Sequence, residues 1–277
     1  MYSRMLDKQL EEWLAEDVGS GDLTSEALLP EGAVTAGIIH AKDTGILCGV
    51  EVARQVFRVL DPSLTFEALA KDGDKLEPGT LIAKVTGSAR SVLTGERLAL
   101  NLLQHLSGIA TRTKKLADLA KPYGTRVVDT RKTTPGLRLL EKYAVRTGGG
   151  HNHRLGLYDA ILIKDNHIAV AGGVKEALAR AKAYASHMTR IEIEVESLAQ
   201  AKEALEGRRR DHAGQHGSGG HEGMCKDDRS PGGGGSLRGH RRAQSGSRSS
   251  RRGGRNQHRS PDPQRKSPGH QSGCGGD

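Results

Sequence analysis

Aromatic residues are scarce in this chain: two Phe, one Trp and five Tyr among 277 residues. Any core must therefore be filled with aliphatic side chains, and binding by stacking on nucleic-acid bases has little to work with. Cysteine is nearly as rare. Of three cysteines only Cys48 lies within the first 207 residues, so that region forms no internal disulfide and a reducing, cytoplasmic setting is expected. No apolar run approaches membrane-spanning length, and residues 1–12 have no apolar h-region, so neither a membrane partner nor a secretory leader is expected. Residues 208–277 lack hydrophobic residues most severely, with six in seventy and no aromatic. Such a segment cannot bury a core and is expected to be disordered.

Net charge is +9, and its location decides its meaning. Residues 208–277 hold 15 Lys and Arg against 6 Asp and Glu, which is the whole excess. Residues 1–207 hold 27 of each sign. The body is therefore no polyanion binder by bulk charge, and its cations act locally.

They concentrate in residues 126–167. Val127-Val128 and Ala160-Ile161-Leu162-Ile163 are expected to be short buried parallel strands. Arg131 and Lys132 follow the first, and Lys164 follows the second. Arg138, Arg146, His151, His153 and Arg154 lie between them, partly on Gly-rich sequence. Cations at the C-terminal ends of parallel strands occupy the place where an α/β barrel keeps its active site, and they ask for a small, multiply anionic substrate. Most Lys and Arg are simply solvated, and on that ground Lys142 and Arg146 are assigned to an exposed helix face. Arg131, Lys132, Arg154 and Lys164 are assigned to function, because each lies just beyond a strand or a glycine turn.

The remaining pattern predicts an amphipathic helix over residues 5–17, with Asp22 or Ser20 as a cap beyond the Gly19/Gly21 turn. Strand-like alternation over 33–48 is followed by a helix over 49–60, and then by strands at 64–70, 80–85 and 89–92. This predicts an open α+β sandwich of about a hundred residues. A helix starting after Thr94 would carry Arg97 in its first turn, where a cation opposes the helix dipole. Gln104 and His105 receive no role. From Lys115 onward, helices at 116–120, 137–145, 174–184 and 198–205 alternate with strands at 126–129, 160–164 and 191–195, which predicts a parallel sheet, expected to be a barrel. Glu192, Glu194 and Glu196 would share one face of the last strand, with one of them facing a metal or a cation cluster.

Several long motifs then resemble a known family, the quinolinate phosphoribosyltransferases (nicotinate-nucleotide pyrophosphorylases, carboxylating). They are E-D-V-G-S-G-D-L-T at 16–24, A-K-D-T-G-I-L-C-G at 41–49 and E-R-L-A-L-N-L-L-Q-H-L-S-G-I-A-T at 96–111. The likeness continues with D-T-R-K-T-T-P-G-L-R at 129–138, K-Y-A-V-R-T-G-G-G-H-N-H-R-L-G-L-Y-D at 142–159, I-K-D-N-H-I at 163–168 and I-E-V-E-S-L at 193–198. The resemblance implies an α/β fold with an N-terminal α/β sandwich and linking helix over 1–113, and an open α/β barrel, here truncated, over 114–207. It also implies a homodimer in which the sandwich of one subunit covers the barrel mouth of the other. Quinolinate would be bound by Arg97, reaching across the dimer, and by Arg131, Lys132, His153, Arg154 and Lys164, with Thr130 in the same loop. Glu194 would face phosphoribosyl pyrophosphate and its Mg²⁺, and Lys132 and Glu194 would hold the catalytic positions. The implied products are nicotinate mononucleotide, pyrophosphate and CO2, in NAD biosynthesis.

The resemblance stops near Gly207. An M-L-D-N motif, a Gly-rich phosphate loop and a last strand ending in G-A, all expected next, are missing. A reading frame shifted to the second base of each codon permits Met-Leu-Asp-Asn-Met across residues 212–216 and Glu-Ala-Ser-Gly-Gly-Ile across 235–240. Two further segments, at 254–264 and 267–272, permit family-like sequence in the same frame. One inserted base, or two lost, near codon 207 would account for all four. A chain so altered would lack the strands that close the barrel, and it is expected to be insoluble or inactive. Two alternatives stand beside this. One is RNA binding through the Arg/Gly-rich residues 245–255, and the other is a phosphoribosyltransferase of the same fold acting on another anionic ring.

Overall fold

The computed structural model describes residues 4–214, with side chains to residue 206. Helix α1 (Arg4–Val18) buries Leu6, Leu10 and Leu14 on one stripe, as the spacing predicts. A short helix α2 (Leu23–Leu28), absent from the sequence expectations, follows it. Asp22 caps α2, its carboxylate accepting from the Ser25 amide at 3.1 Å. Strands β1 (Val34–His40), β3 (Thr65–Ala68) and β5 (Leu81–Ser88) form an antiparallel sheet in the order β1-β5-β3, while β2 (Gly45–Ile46) pairs with β4 (Lys75–Leu76). Helix α3 (Val50–Leu60) packs against α1 and β3, burying Val50, Val52, Ala53, Val56 and Phe57.

The largest departure from expectation is α4 (Ala89–Ala120), one helix of 32 residues. Residues 89–92, expected as a strand, form its first turn, capped by the Ser88 hydroxyl. Arg97 is therefore not in a first turn, and no conflict with the helix dipole arises. The helix runs on through residues 116–120 without a break. Its buried stripe of Ala99, Leu102, Leu103, Leu106 and Ala110 joins the first core, which also contains Leu10, Leu47, Cys48, Val52 and Val56. Full burial of each such Leu or Val contributes about 1.5–3 kcal/mol. Burial also pushes the Cys48 thiol up to about 12, which leaves it protonated and inert.

Helix α5 (Arg138–Thr147) leans on α4, and the glycines after it explain how closely. A methyl group on Gly148 would collide with the Ala110 carbonyl and sit 2.7 Å from Thr113 Cβ, while one on Gly150 would sit 2.8 Å from Thr113 Cγ2. Gly148→Ala is therefore expected to destabilise the fold by about 1–3 kcal/mol through overpacking, seen as a lower urea midpoint with an unchanged slope. Asp72 ties α5 to the first layer. It accepts from the Gly49 and Val50 amides at the start of α3 and from the Tyr143 hydroxyl at 2.6 Å.

The second half contains β6 (Ile161–Ile163), α6 (Asp165–Ala171), α7 (Val174–Tyr184), β7 (Ile191–Ile193) and α8 (Leu198–Gly214). Strands β6 and β7 pair in parallel around a small core of Ile163, Ile168, Val174, Ala177 and Leu178. Residues 126–129 form no strand. They make a single parallel bridge from Val128 to His151, with the His151 amide donating to Val127 O and the Asp129 amide to His151 O. The class is α/β, an N-terminal α/β sandwich followed by an open, incomplete barrel, and no closed barrel is present among the described residues. The segment expected to be disordered begins differently, since α8 carries residues 208–214 as helix. Residues 215–277, including the Arg/Gly-rich alternative, lie outside the described residues. No helix among the described residues is long and apolar enough to cross a membrane.

Candidate active site

Asp129, immediately after the Val128 bridge, is the hub of the site, and sequence reasoning missed it. Its side chain is 8% exposed, and it meets the ammonium of Lys142 at 2.6 Å. Lys142 was assigned to an exposed helix face, yet its side chain is 1% exposed and is among the largest wholly buried side chains of the fold. That expectation is corrected: the α5 face carrying Lys142 turns inward because a counter-ion waits there. Asp129 also accepts from the His153 amide at 2.8 Å and from Asn152 Nδ2 at 2.6 Å. Arg146 is exposed, as expected of its helix face, and donates to Asn152 Oδ1 at 2.6 Å.

Arg138 fastens the loop after Asp129. Its guanidinium donates to Thr133 Oγ1 at 3.0 Å, to Leu155 O at 3.3 Å and to Arg131 O at 3.4 Å, joining the two cation-bearing loops. Within the first loop the Thr130 hydroxyl accepts from the Lys132 amide at 3.1 Å, which leaves the Lys132 side chain exposed. In the second, Arg154 donates to Ala160 O at 3.1 Å beside β6. The Nε atoms of Arg131 and Arg154 are both buried without a hydrogen-bond partner. Buried donors of this kind are costly unless a ligand satisfies them.

The carboxylate ladder divides its tasks. Glu192 on β7 meets His153 Nε2 at 2.9 Å, both side chains about one-fifth exposed at 19% and 20%. Glu194, just past β7, lies 3.9 Å from the ammonium of Lys164, just past β6. Glu196 is exposed beyond the strand, and its amide donates to Gln200. Thr130, Arg131, Lys132, His153, Arg154, Lys164 and Glu194 thus lie on loops and strand ends linked by one network. Arg97 does not join them. It lines a groove of 820 Å³ with residues of β1, β2 and α4, and no residue of 126–167 lines that groove.

His105, given no role from sequence, has one. Its Nε2 lies 2.9 Å from Glu141 Oε1, and the other oxygen of Glu141 accepts from the Thr134 amide. Burial raises the Glu141 carboxyl, but hydrogen bonds from Thr134 and His105 outweigh it and hold the group below its ordinary value of 4.5. A carboxylate lowered in the folded state stabilises above its unfolded value and loses that contribution as pH falls through the folded one. The urea midpoint of Glu141→Gln is therefore expected to fall below the parent's at pH 6, with the gap closing as pH drops below about 4.5.

Cations on loops beside a parallel strand pair, with Lys132 and Lys164 exposed, are an arrangement suited to a small polyanion. The comparisons with known proteins identify the family. The model for the N-terminal domain of quinolinate phosphoribosyl transferase matches residues 22–107, and that for its C-terminal domain matches residues 109–212. The chain belongs to the quinolinate phosphoribosyltransferase family. It is 48% identical over 205 residues to a probable nicotinate-nucleotide pyrophosphorylase (carboxylating) of Bacillus subtilis, covering 74% of this chain and 71% of that one. It is 44% identical over 197 residues to a chloroplastic enzyme of the same name from Arabidopsis thaliana, covering 70% of this chain and 56% of that one. Among solved structures, NadC from Streptococcus pyogenes superposes with a TM-score of 0.72 at 47% identity, covering 75% of this chain and 73% of that one.

Proposed function

We propose that the chain catalyses transfer of the phosphoribosyl group from 5-phosphoribosyl 1-pyrophosphate to quinolinate with decarboxylation, giving nicotinate mononucleotide, pyrophosphate and CO2. The family match over residues 22–107 and 109–212 supports this reading, together with the ties that Arg138 makes between the Arg131 and Leu155 loops and that Asp129 makes to the His153 amide. Quinolinate presents two adjacent carboxylates, which suit planar Arg donors. Arg131, Lys132, His153 and Arg154 would hold them, with Thr130 shaping the loop. Lys164 would join them on quinolinate, and Glu194, 3.9 Å from it at the neighbouring strand end, would face the phosphoribosyl group.

The ring nitrogen then attacks ribose C1 as the C1–O bond to pyrophosphate breaks, through an oxocarbenium-like state that the Glu194 carboxylate favours. The pyridinium so formed accepts the electron pair left when the C2 carboxylate departs as CO2, and a proton takes its place. No side-chain nucleophile is needed, so positioning carries the rate. Mg²⁺ would enter bound to the pyrophosphate, whose departing charge it neutralises. Among the described residues no cluster of three His, Cys, Asp or Glu could hold a metal. A single carboxylate such as Glu194 fits Mg²⁺, which keeps waters and substrate phosphates as its other ligands.

Arg97, apart from the cluster within one chain, supports a homodimer in which it reaches the site of a second copy. RNA binding through the Arg/Gly-rich tail finds no support in the family match, which ends at residue 212. The reading-frame shift after about codon 207 remains our proposal for why the family match ends at residue 212. Sequencing the gene decides it: one intact frame encoding this tail ends the idea. Incubating the chain with phosphoribosyl pyrophosphate and quinolinate labelled in its C2 carboxylate tests the activity. Labelled CO2 in step with nicotinate mononucleotide is the expected result, first in the frame-restored chain. Equal or greater turnover of nicotinate would favour the second alternative.

A further inference from the structure

We infer that Asp129 and Lys142 are positioning residues for His153, acting on its backbone rather than on the substrate; this rests on the proposed quinolinate site. The His153 peptide is gripped from both sides. Its N–H donates to Asp129 Oδ1 at 2.8 Å, and its carbonyl accepts from the Lys142 ammonium at 3.3 Å. The same ammonium meets the same Oδ1 at 2.6 Å, so the three groups close into a ring. Asn152 completes the clamp from the neighbouring position, its amide bridging Asp129 Oδ2 at 2.6 Å and Lys142 O at 2.8 Å.

Residues 151–156 form neither helix nor strand beyond the His151 bridge, so no regular secondary structure fixes the peptide. A backbone so placed would wander without side-chain partners. Here it is tied to the end of the Val128 bridge by Asp129 and to α5 by Lys142. The His153 ring is thereby set 2.9 Å from Glu192 on β7, and Arg154 follows with its buried, unpartnered Nε. A buried ion pair is weak evidence for stability, because apolar replacements of similar volume are often as good. Its closure around one catalytic-loop peptide gives it a different purpose: it aims the two residues that would meet the quinolinate carboxylates. A misplacement of about 1 Å at such a site is enough to cost about 10²-fold.

The experiment uses the frame-restored chain and its charge-neutral double variant Asp129→Asn/Lys142→Met, with Asn152→Ala as a milder second variant. Amide hydrogen exchange at His153 is followed beside quinolinate and phosphoribosyl pyrophosphate titrations, with folding checked by circular dichroism. In the unsubstituted chain, His153 exchange is expected to be slow. In the double variant it should quicken by about tenfold or more, and quinolinate affinity should fall by about tenfold while phosphoribosyl pyrophosphate affinity moves less than about twofold. Asn152→Ala should shift the same two readouts in the same direction by less. A purely structural pair would move both ligands together or neither. Exchange at the random-coil rate in the unsubstituted chain overturns the clamp, and so does unchanged exchange and quinolinate binding in both variants. Should the double variant fail to fold, Asn152→Ala decides by the same criteria. Slow exchange at His153 in a chain that binds no quinolinate would sink the proposed function and leave the clamp standing as a structural device alone.

Discussion

Replacing Arg131 with methionine is expected to lower kcat/KM for quinolinate by about 10²–10³-fold, the cost typical of losing one preorganised donor to a reacting anion. Its buried Nε has no partner within the protein. Lysine at the same place should recover little, because a point charge cannot reproduce a planar fork against two adjacent carboxylates. Arg154→Met should behave similarly, with an added loosening of the loop through the lost contact to Ala160 O. Steady-state rates at varied quinolinate and saturating phosphoribosyl pyrophosphate check both. A change confined to phosphoribosyl pyrophosphate would contradict the assignment.

The second large effect concerns stability. Lys142→Met alone is expected to cost about 3–5 kcal/mol, because it strands the Asp129 carboxylate in a site only 8% exposed. Against a total stability of about 5–15 kcal/mol that is a large fraction, and partial unfolding at ordinary temperature is expected. Adding Asp129→Asn should return most of the loss, since no uncompensated charge remains. The double-mutant cycle from urea unfolding measures this, and a strictly additive result would contradict the pairing.

Strand tips marked by cations were readable because apolar runs such as Ile161–Ile163 end abruptly at a charge, and short local patterns report that directly. Amphipathic helices were readable for the same reason: the spacing that predicts 174–184 is realised as Val174–Tyr184. Residues 89–92 misled because four residues of Ala, Arg, Ser and Val suit a strand or a helical turn equally, and the Ser88 cap decides between them. The Val127-Val128 run misled differently. A strand needs neighbours, and here a single bridge to His151 is all that forms.

Lys142 was the instructive miss. Helical periodicity shows which face a residue occupies but not what faces it, and its partner Asp129 is 13 residues away. The signal available was Asp129 itself, an acidic residue at the tip of an apolar run, set among Arg126, Arg131 and Lys132. His105 carried no comparable signal, since Glu141 lies on a different helix 36 residues on. Of the site residues inferred by resemblance, Lys164 and Glu194 lie 3.9 Å apart and Arg138 ties the Arg131 loop to that of Leu155, while Arg97 lines another groove.

The most direct test is a quinolinate titration of the frame-restored chain beside its Arg131→Met/Lys132→Met/Lys164→Met variant, with both shown to be folded. Saturable binding in the parent and its loss in the variant, by about 10³-fold or more, is the expected result. Equal affinity in the two proteins would mean that fixed positive charge at the strand tips does not hold the substrate, and the account would fail.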